Sequence, residues 1–194
     1  MNILSLLNEK QLKQVKYLDI KKGQILFKED EVCKYIVVVV AGSFSITSFS
    51  YSGKEIIYNK ISVDEVFGNN LLFSSEPRYR GDVIADIDSR IALIDKKSLL
   101  SFFHENEFFL EKYLNLTSEF SKRLNAKIKL LSLDNAEEKL FYYLHLHNGN
   151  IKYHSITSLA KELNMERETL SRLLSKLEKQ NKITKKNHSI RVNG

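Results

Sequence analysis

Four polar side chains near the end of the chain have the chemistry to bind the base edges of DNA: Arg167, Glu168, Ser171 and Arg172. At helical spacing these residues, called here the recognition patch, share one side of a helix over its first turns. An arginine can donate two parallel hydrogen bonds to O6 and N7 of guanine, and a glutamate can accept from N4 of cytosine. The alternative interpretation is a solvated helix face on which Glu168 and Arg172 form an i,i+4 ion pair.

The segment around the patch, residues 155–174, predicts two short helices joined by a tight turn. Ser155 is positioned to cap the first helix, Ala160 is small where two helices cross, and Asn164 tolerates the positive φ that the turn needs. Apolar residues at helical spacing form the shared interface and face away from the patch: Leu159, Leu163, Leu170 and Leu173. This pattern is typical of a helix-turn-helix, whose second helix enters the major groove, and it favours DNA contact over the solvated ion pair.

A basic hairpin is predicted after this second helix, because Lys182–Val192 alternates apolar and polar residues on either side of Lys185–His188. We expect Lys185 and Lys186 to contact phosphate, which positions a protein on DNA without reading sequence. With the cap residue Ser155 and the recognition patch, these lysines complete the predicted DNA-binding residues.

The charge of the chain is concentrated in the same region. The 194 residues contain 30 Lys and Arg against 24 Asp and Glu, a net charge of +6. From Glu137 to Gly194 there are 11 Lys and Arg against 6 Asp and Glu, a balance of +5. A basic module on a nearly neutral body indicates a polyanionic partner.

One long helix, residues 107–133 with Asn106 as N-cap, precedes this module. A heptad pattern runs along it and defines the dimer seam: Leu110, Leu114, Thr117, Ser121, Leu124, Ile128 and Leu131. A second apolar stripe lies on the adjacent face: Phe109, Tyr113, Leu116 and Phe120. One helix with two stripes can pack on its own domain and on a second copy of itself, so we expect a homodimer. The alternative is a helix buried within its own monomer.

Short apolar runs separated by turn residues extend from Leu18 to Asp95 and predict a β-sandwich or barrel. The runs are Gln24–Phe27, Tyr35–Ala41, Phe44–Phe49, Glu55–Ile61, Asp82–Ala85 and Arg90–Ile94. Ser52-Gly53 is expected to form a hairpin turn, and the β-branched run Tyr35–Val40 a strand buried on both faces. The predicted class is α+β: a β-roll sensor domain (1–105), a dimerisation helix (106–133) and a winged helix-turn-helix (134–194).

Several classes of protein are excluded by composition. A single cysteine, Cys33, leaves no internal disulfide and no four-cysteine zinc site. No apolar stretch is long enough for a membrane span, and residues 1–16 lack the pattern of a secretory signal, so we expect a cytoplasmic protein. A cupin-type enzyme needs metal-binding histidines in its barrel, and Leu18–Asp95 contains none.

The order of β-roll, long helix and winged helix with Arg167-Glu-Thr-Leu-Ser-Arg172 resembles the CRP/FNR family of bacterial transcription regulators. Two further motifs are similar to that family, Tyr35–Val40 before Ala41-Gly42-Ser43 and Val66-Phe67-Gly68. The resemblance implies a homodimer on a palindromic DNA site, with RNA polymerase as a further partner. It also implies half-sites similar to TGTGA or TTGA, with guanines under the two arginines.

The same resemblance places a candidate effector pocket at Gly68, Asn69, Asn70, Tyr79, Arg80, Arg123 and Leu124. In cAMP-binding members a Glu binds the ribose, an Arg-Ser pair the phosphate and a Thr-Ser pair the adenine. Here those positions hold Asn69, then Tyr79 and Arg80, then Arg123 and Leu124, which argues against cAMP. The first 32 residues contain no cysteine for an iron–sulfur cluster, and the five histidines are too scattered for haem or a metal.

We therefore expect no cofactor, and either an unidentified small-molecule effector or none. A regulator that acts without any ligand remains an alternative. Another is an adaptor whose winged helix binds protein, and an affinity for duplex DNA that falls steeply with salt would separate the two.

Overall fold

The computed structural model describes residues 2–193, apart from the side chain of Tyr58. These residues form two compact units, which divide after Glu119. After a 3-10 turn (Ile3–Leu6), the elements in chain order are α1 (Glu9–Leu12), β1 (Lys16–Ile20), β2 (Ile25–Phe27), β3 (Tyr35–Ala41), β4 (Phe44–Phe49), β5 (Glu55–Ile61), β6 (Val66–Phe67), β7 (Asp82–Ala85), β8 (Ser89–Asp95), α2 (Lys96–Glu105), α3 (Glu107–Ser132), α4 (Ala136–Leu146), β9 (Asn150–Lys152), α5 (Ile156–Glu162), α6 (Arg167–Lys179), β10 (Ile183–Lys186) and β11 (Ser189–Val192).

The first unit is built on two four-stranded antiparallel sheets, with strand orders β1-β8-β3-β6 and β2-β7-β4-β5. Side chains from both sheets share one apolar core, where Phe44 of β4 and Phe67 of β6 lie 6.1 Å apart between ring centroids. The predicted β-roll within an α+β chain is confirmed. The three-part division at residues 105 and 133 stays a prediction.

Strand β3 runs through the centre of this core. Its residues Ile36–Val39 are completely buried, although successive side chains of a strand point to opposite faces. The same core contains Leu99 and Phe102 of α2 as well as residues of the second sheet. The expectation of a strand buried on both faces is therefore confirmed.

The β4–β5 hairpin closes at the predicted Ser52-Gly53 turn. Gly53 has φ +76°, a conformation that costs glycine little, and its N–H donates to the carbonyl of Ser50 at 2.8 Å. The two strands pair antiparallel from Phe44↔Ile61 to Phe49↔Glu55.

The second unit surrounds a separate core with helices and a small sheet. Its buried apolar residues come from every helix of the unit and from the sheet: Leu130, Leu140, Leu144, Ile151, Leu159, Ala160, Leu163, Leu170, Leu173, Leu174, Leu177, Ile183 and Ile190. The sheet has the order β10-β11-β9 and is antiparallel throughout. Helices α5 and α6 with this sheet form the predicted winged helix-turn-helix.

Within residues 2–193, no helix is both long and apolar enough to cross a membrane.

Candidate functional site

Helix α5 begins and ends where the sequence indicates. The hydroxyl of Ser155 accepts a hydrogen bond from the N–H of Ser158 at 3.0 Å, and the hydroxyl of Ser158 accepts from the N–H of Ser155 at 3.0 Å. This reciprocal capping box satisfies two donors that the helix itself leaves free. The chain then turns at Asn164, which has the predicted positive φ, +49°.

Helix α6 presents the recognition patch to solvent. Leu170, Leu173, Leu174 and Leu177 are buried on its other side, so Arg167, Glu168, Ser171 and Arg172 are all exposed. The ion pair on this face joins Arg167 to Glu168 at 3.9 Å, with both side chains about two-thirds exposed, instead of Glu168 to Arg172. Such an exposed pair is worth at most about 1 kcal/mol, so base edges can displace it. An open groove continues along the face past Ser175 and Lys179.

The wing is the β10–β11 hairpin. Its turn residues Asn187 and His188 both have positive φ, +46° and +55°, as a two-residue type I′ hairpin requires. The two predicted phosphate-binding lysines differ. Lys185 forms an ion pair with Glu178 of α6 at 2.9 Å, whereas Lys186 is exposed. Lys185 therefore braces the wing against α6, and its hydrogen bond holds the pKa of Glu178 below the usual glutamate range.

A second brace ties the wing and α6 to α4. Glu137, in the first turn of α4, accepts hydrogen bonds from Lys182 at 2.8 Å and from Lys176 at 3.5 Å. The bond from Lys182 is the main reason why the pKa of Glu137 is lowered, and Lys176 contributes further.

The turn of the helix-turn-helix has three partners that the sequence did not reveal. Lys127 of α3 donates to the carbonyl of Glu162 at 2.7 Å, and Lys139 of α4 donates to the carbonyl of Asn164 at 3.3 Å. The hydroxyl of Tyr143 donates to the Glu162 carboxylate, and burial, then this carboxylate, raises the pKa of Tyr143. Each donor lies 19 to 35 residues from its acceptor along the chain, so no local pattern could have indicated these bonds.

The candidate effector residues of the first unit do not converge on one anion site. Tyr79 is only 3% exposed and stacks on Phe27, with ring centroids 4.4 Å apart and ring planes 9° apart. Arg80 is exposed and forms an ion pair with Glu76 at 3.6 Å. One member of the predicted phosphate pair therefore belongs to the core, and the other lies in solvent.

The loop after β6 is tightly packed at two of its three candidate residues. Gly68 has φ +79°, and a Cβ there would lie 2.6 Å from the carbonyl oxygen of Tyr35, so a side chain cannot be accommodated. Asn69 is buried, and its backbone carbonyl accepts a hydrogen bond from the hydroxyl of Tyr113 at 3.4 Å. Asn70 is exposed. The remaining candidates, Arg123 and Leu124, are exposed on α3 in the second unit.

Cys33 lies in the core beneath this loop. Its thiol is within 3.4 Å of the Tyr35 carbonyl and 3.8 Å of the Gly68 carbonyl. Burial raises the pKa of this thiol, so it stays protonated and poorly nucleophilic at neutral pH. Burial likewise raises the pKa of the neighbouring Tyr113, to about 12, and that of Tyr79.

Helix α3 leaves the dimer seam uncovered. It begins after Asn106, whose side chain accepts from the N–H of Phe109 as predicted. In the second stripe, Phe109 and Tyr113 are buried, and Leu116 and Phe120 are half-buried. In the seam, Leu110 and Thr117 are half-buried, Ser121 is exposed, and the other members are 46–54% exposed: Leu114, Leu124, Ile128 and Leu131. The seam is therefore a half-exposed row of apolar residues, and its pairing with a second copy stays a prediction.

Among the residues that the structure describes, no group of three or more His, Cys, Asp or Glu is arranged to hold a metal ion.

Comparisons with known proteins agree with this architecture. Residues 17–106 match the cyclic nucleotide-binding domain family. A transcriptional regulator from Thermotoga maritima is 25% identical, with a TM-score of 0.59 over 64% of this chain and 96% of its own. The catabolite activator protein of Thermus thermophilus is 17% identical, with a TM-score of 0.58 over 98% of this chain and 93% of its own.

A CooA mutant from Carboxydothermus hydrogenoformans is 18% identical and has a TM-score of 0.67, over 100% of this chain and 92% of its own. No protein with a curated description matches the sequence. The resemblance derived from the residues is confirmed: residues 17–106 are similar to cyclic nucleotide-binding domains, and the chain has the fold of the CRP/FNR-family transcription regulators.

Proposed function

We propose that this protein is a sequence-specific DNA-binding transcription regulator of the CRP/FNR type, without catalytic activity. The observation that carries the proposal is the recognition patch on α6. Its four polar side chains are exposed and, among the residues that the structure describes, form one weak ion pair, while the opposite face of the helix anchors it in the core. A rigid helix that offers two guanidinium groups, a carboxylate and a hydroxyl can read base edges in a major groove.

The wing supplies a contact of a different kind in this proposal. Lys186 is exposed near the hairpin turn, where it can bind phosphate and fix the orientation of α6. Lys185 supports the wing through Glu178 instead of meeting DNA. Ser155 at the start of α5 adds a cap that keeps the first helix of the motif in place.

The unit of binding is a homodimer formed along the dimer seam. Pairing two copies of α3 would cover its half-exposed leucines and isoleucine, and a two-fold axis would present two copies of α6. Their half-sites would be related by inversion and separated by about one helical turn of DNA. We propose half-sites similar to TGTGA or TTGA, and RNA polymerase as the partner of the DNA-bound dimer in the cytoplasm.

We infer that cAMP is not the effector. The positions that would bind its phosphate hold the buried ring of Tyr79 and the exposed, ion-paired Arg80. Asn69, at the ribose position, is buried, and its backbone carbonyl accepts a hydrogen bond from the hydroxyl of Tyr113. Any effector of this domain must therefore be recognised by other contacts, and no iron–sulfur or haem cofactor is part of the proposal.

Binding to short fluorescent duplexes tests the proposal. Three duplexes are compared. The first carries an inverted repeat of TGTGA and the second an inverted repeat of TTGA, each with half-site centres about 10 base pairs apart. The third has a scrambled sequence. We expect the wild type to prefer one repeat by about 10³-fold or more. Arg172→Ala should cost about 1–3 kcal/mol on that repeat and relax the preference for guanine.

Lys186→Ala should weaken binding to repeat and scrambled duplexes alike and reduce the salt slope by about 1. Lys10→Ala, which removes an exposed charge from the first unit, is the control and should change neither. Equal wild-type affinity for all duplexes, or unchanged binding by Arg172→Ala, would contradict the proposal.

A further inference from the structure

Lys127 makes a contact that neither the seam nor the recognition patch explains. It lies on the exposed surface of α3, yet its ammonium group donates to the backbone carbonyl of Glu162, 35 residues later, at 2.7 Å. That carbonyl belongs to the last residue of α5, immediately before the turn of the helix-turn-helix. A side chain of the dimer helix thus holds the end of the first DNA-binding helix.

The Glu162 carbonyl needs a partner from outside α5 because it lies at the end of the helix. Helix α5 has seven residues. The last four carbonyls of any α-helix have no N–H donor within that helix. The same end carries the negative pole of the helix dipole, where a cation is favourable. Lys139 provides the same kind of donor from α4 to the Asn164 carbonyl, at a longer 3.3 Å.

Two further contacts of α3 also lie within the second unit. Residues 133–135 between α3 and α4 are not helical. On α3 itself, Leu130 is buried in the core of this unit and Lys129 lies over the ring of Tyr142, 4.9 Å from its centroid. The bond from Lys127 to the Glu162 carbonyl differs from these contacts, because it joins α3 directly to the end of α5.

The position of Lys127 in the heptad pattern leaves it free for this role. Counted in heptads abcdefg, Leu124 is a d residue and Ile128 an a residue of the dimer seam. Lys127 is therefore a g residue, at the edge of the seam. In a parallel pair of helices this residue usually meets the e position of the next heptad in the partner. That position is Ser132, which offers no carboxylate, so dimerisation does not compete with the Glu162 carbonyl.

We propose that Lys127 is the positioning residue that sets the orientation of the helix-turn-helix relative to the dimer helix. The inference rests on the proposed function, because it makes the separation of the two α6 helices in a dimer depend on this bond. Movement of one α3 against its partner would then be passed directly to the turn between α5 and α6.

The test compares full-length wild type with Lys127→Met, Lys127→Arg and the control Lys112→Met. The control removes a charge from the same helix, at a residue whose contacts are Glu111 and Phe108. Each protein is titrated with the preferred inverted repeat at its optimal spacing, with the same repeat lengthened by two base pairs, and with a single half-site. Hydrogen exchange of the α5 amides is measured in parallel without DNA.

We expect Lys127→Met to lose about tenfold in affinity for the optimal repeat. The variant should bind the lengthened repeat as well as it binds the optimal one. Its half-site affinity should stay within twofold of the wild type, and exchange at the end of α5 should be faster. Lys127→Arg should recover the spacing preference, since it restores a cationic donor, and Lys112→Met should behave as wild type. These half-site and spacing readouts distinguish positioning from a general loss of charge or stability.

A spacing preference in Lys127→Met equal to that of the wild type would overturn the inference and leave the proposed function intact. A parallel loss on repeat and half-site would also overturn it, because the lysine would then act on DNA directly. Wild-type protein that binds no duplex selectively would contradict the proposed function itself, and the inference would fall with it.

Discussion

At the level of single residues, the cations of the second unit differ in their partners. Arg172 and Lys186 are exposed and form no ion pair with the residues that the structure describes, whereas Lys176, Lys182 and Lys185 are engaged by Glu137 or Glu178. The charge of +5 counted from Glu137 onward therefore overstates the number of side chains ready for phosphate. The paired lysines act on the protein, where they fix the wing and α6 against each other.

The Glu137 brace makes the stability of the second unit dependent on pH. Because the folded-state pKa of Glu137 is lowered, chiefly by Lys182, its stabilising effect is present above the usual glutamate pKa of about 4.3 and is lost as the pH falls through the lower folded value. We expect Glu137→Gln to be less stable than wild type at pH 7, with the difference shrinking as the pH falls below the usual glutamate pKa. Chemical denaturation at a series of pH values measures this.

Glu138→Gln is the matched control for that series. Glu138 shares the first turn of α4 with Glu137 but forms no ion pair with any residue that the structure describes. The two variants lose the same interaction with the helix dipole, so the excess effect of Glu137→Gln reports the lysine brace. Identical pH profiles for both variants would show that the brace adds nothing.

At the level of elements, the helix-turn-helix depends on a single backbone conformation. Asn164 has φ +49°, in a region that most residues avoid and that asparagine and glycine tolerate. Its carbonyl accepts from Lys139, and this bond does not involve the asparagine side chain. The geometry between α5 and α6 therefore rests on this residue's tolerance of a left-handed turn.

We expect Asn164→Ala to lower the free energy of unfolding by about 1 kcal/mol, because alanine bears the steric cost of that conformation. Asn164→Gly should be close to wild type, since glycine adopts positive φ freely. Thermal or urea unfolding of the three proteins measures the difference. Equal destabilisation by alanine and glycine would mean that the asparagine side chain itself, and not φ, is what the turn needs.

At the level of the whole molecule, α3 carries two surfaces with different environments. Phe109 and Tyr113 are buried in the first unit, and Leu130 in the second. The seam residues Leu124 and Ile128, which lie between Tyr113 and Leu130 in the chain, are half-exposed. Exposure of these apolar side chains to water does not stabilise an isolated chain. The proposed homodimer is the arrangement that removes this apolar row from water.

We expect the double variant Leu124→Glu, Ile128→Glu to be monomeric and folded, because the substituted side chains lie outside the monomer core. Sedimentation analysis gives the mass, and circular dichroism the helix content. Leu146→Glu replaces a leucine on α4 that is 44% exposed and lies outside the seam, and this variant should remain dimeric. A double variant that sediments as a dimer, or a wild type that is monomeric at micromolar concentration, would exclude the seam as the interface.

The sequence by itself determined those features that depend on neighbours in the chain. The strands β3, β4, β5 and β7 have the predicted bounds, since alternation and turn residues are local. The capping of α5 by Ser155, the turn at Asn164 and the course of α3 are likewise set within a few residues. The recognition patch could be found for the same reason, because helical spacing alone places its members on one face.

Tertiary structure alone decided what depends on partners far along the chain. Strand β1 (Lys16–Ile20) buries little more than Ile20 and exists through its pairing with β8, so its own residues did not predict it. Helix α2 (Lys96–Glu105) was also not predicted, although Asp95 caps it and Leu99 and Phe102 are buried. The burial of Tyr79, the pairing of Lys185 with Glu178 and the bond from Lys127 to Glu162 follow from packing and charge between distant segments, which no local pattern encodes.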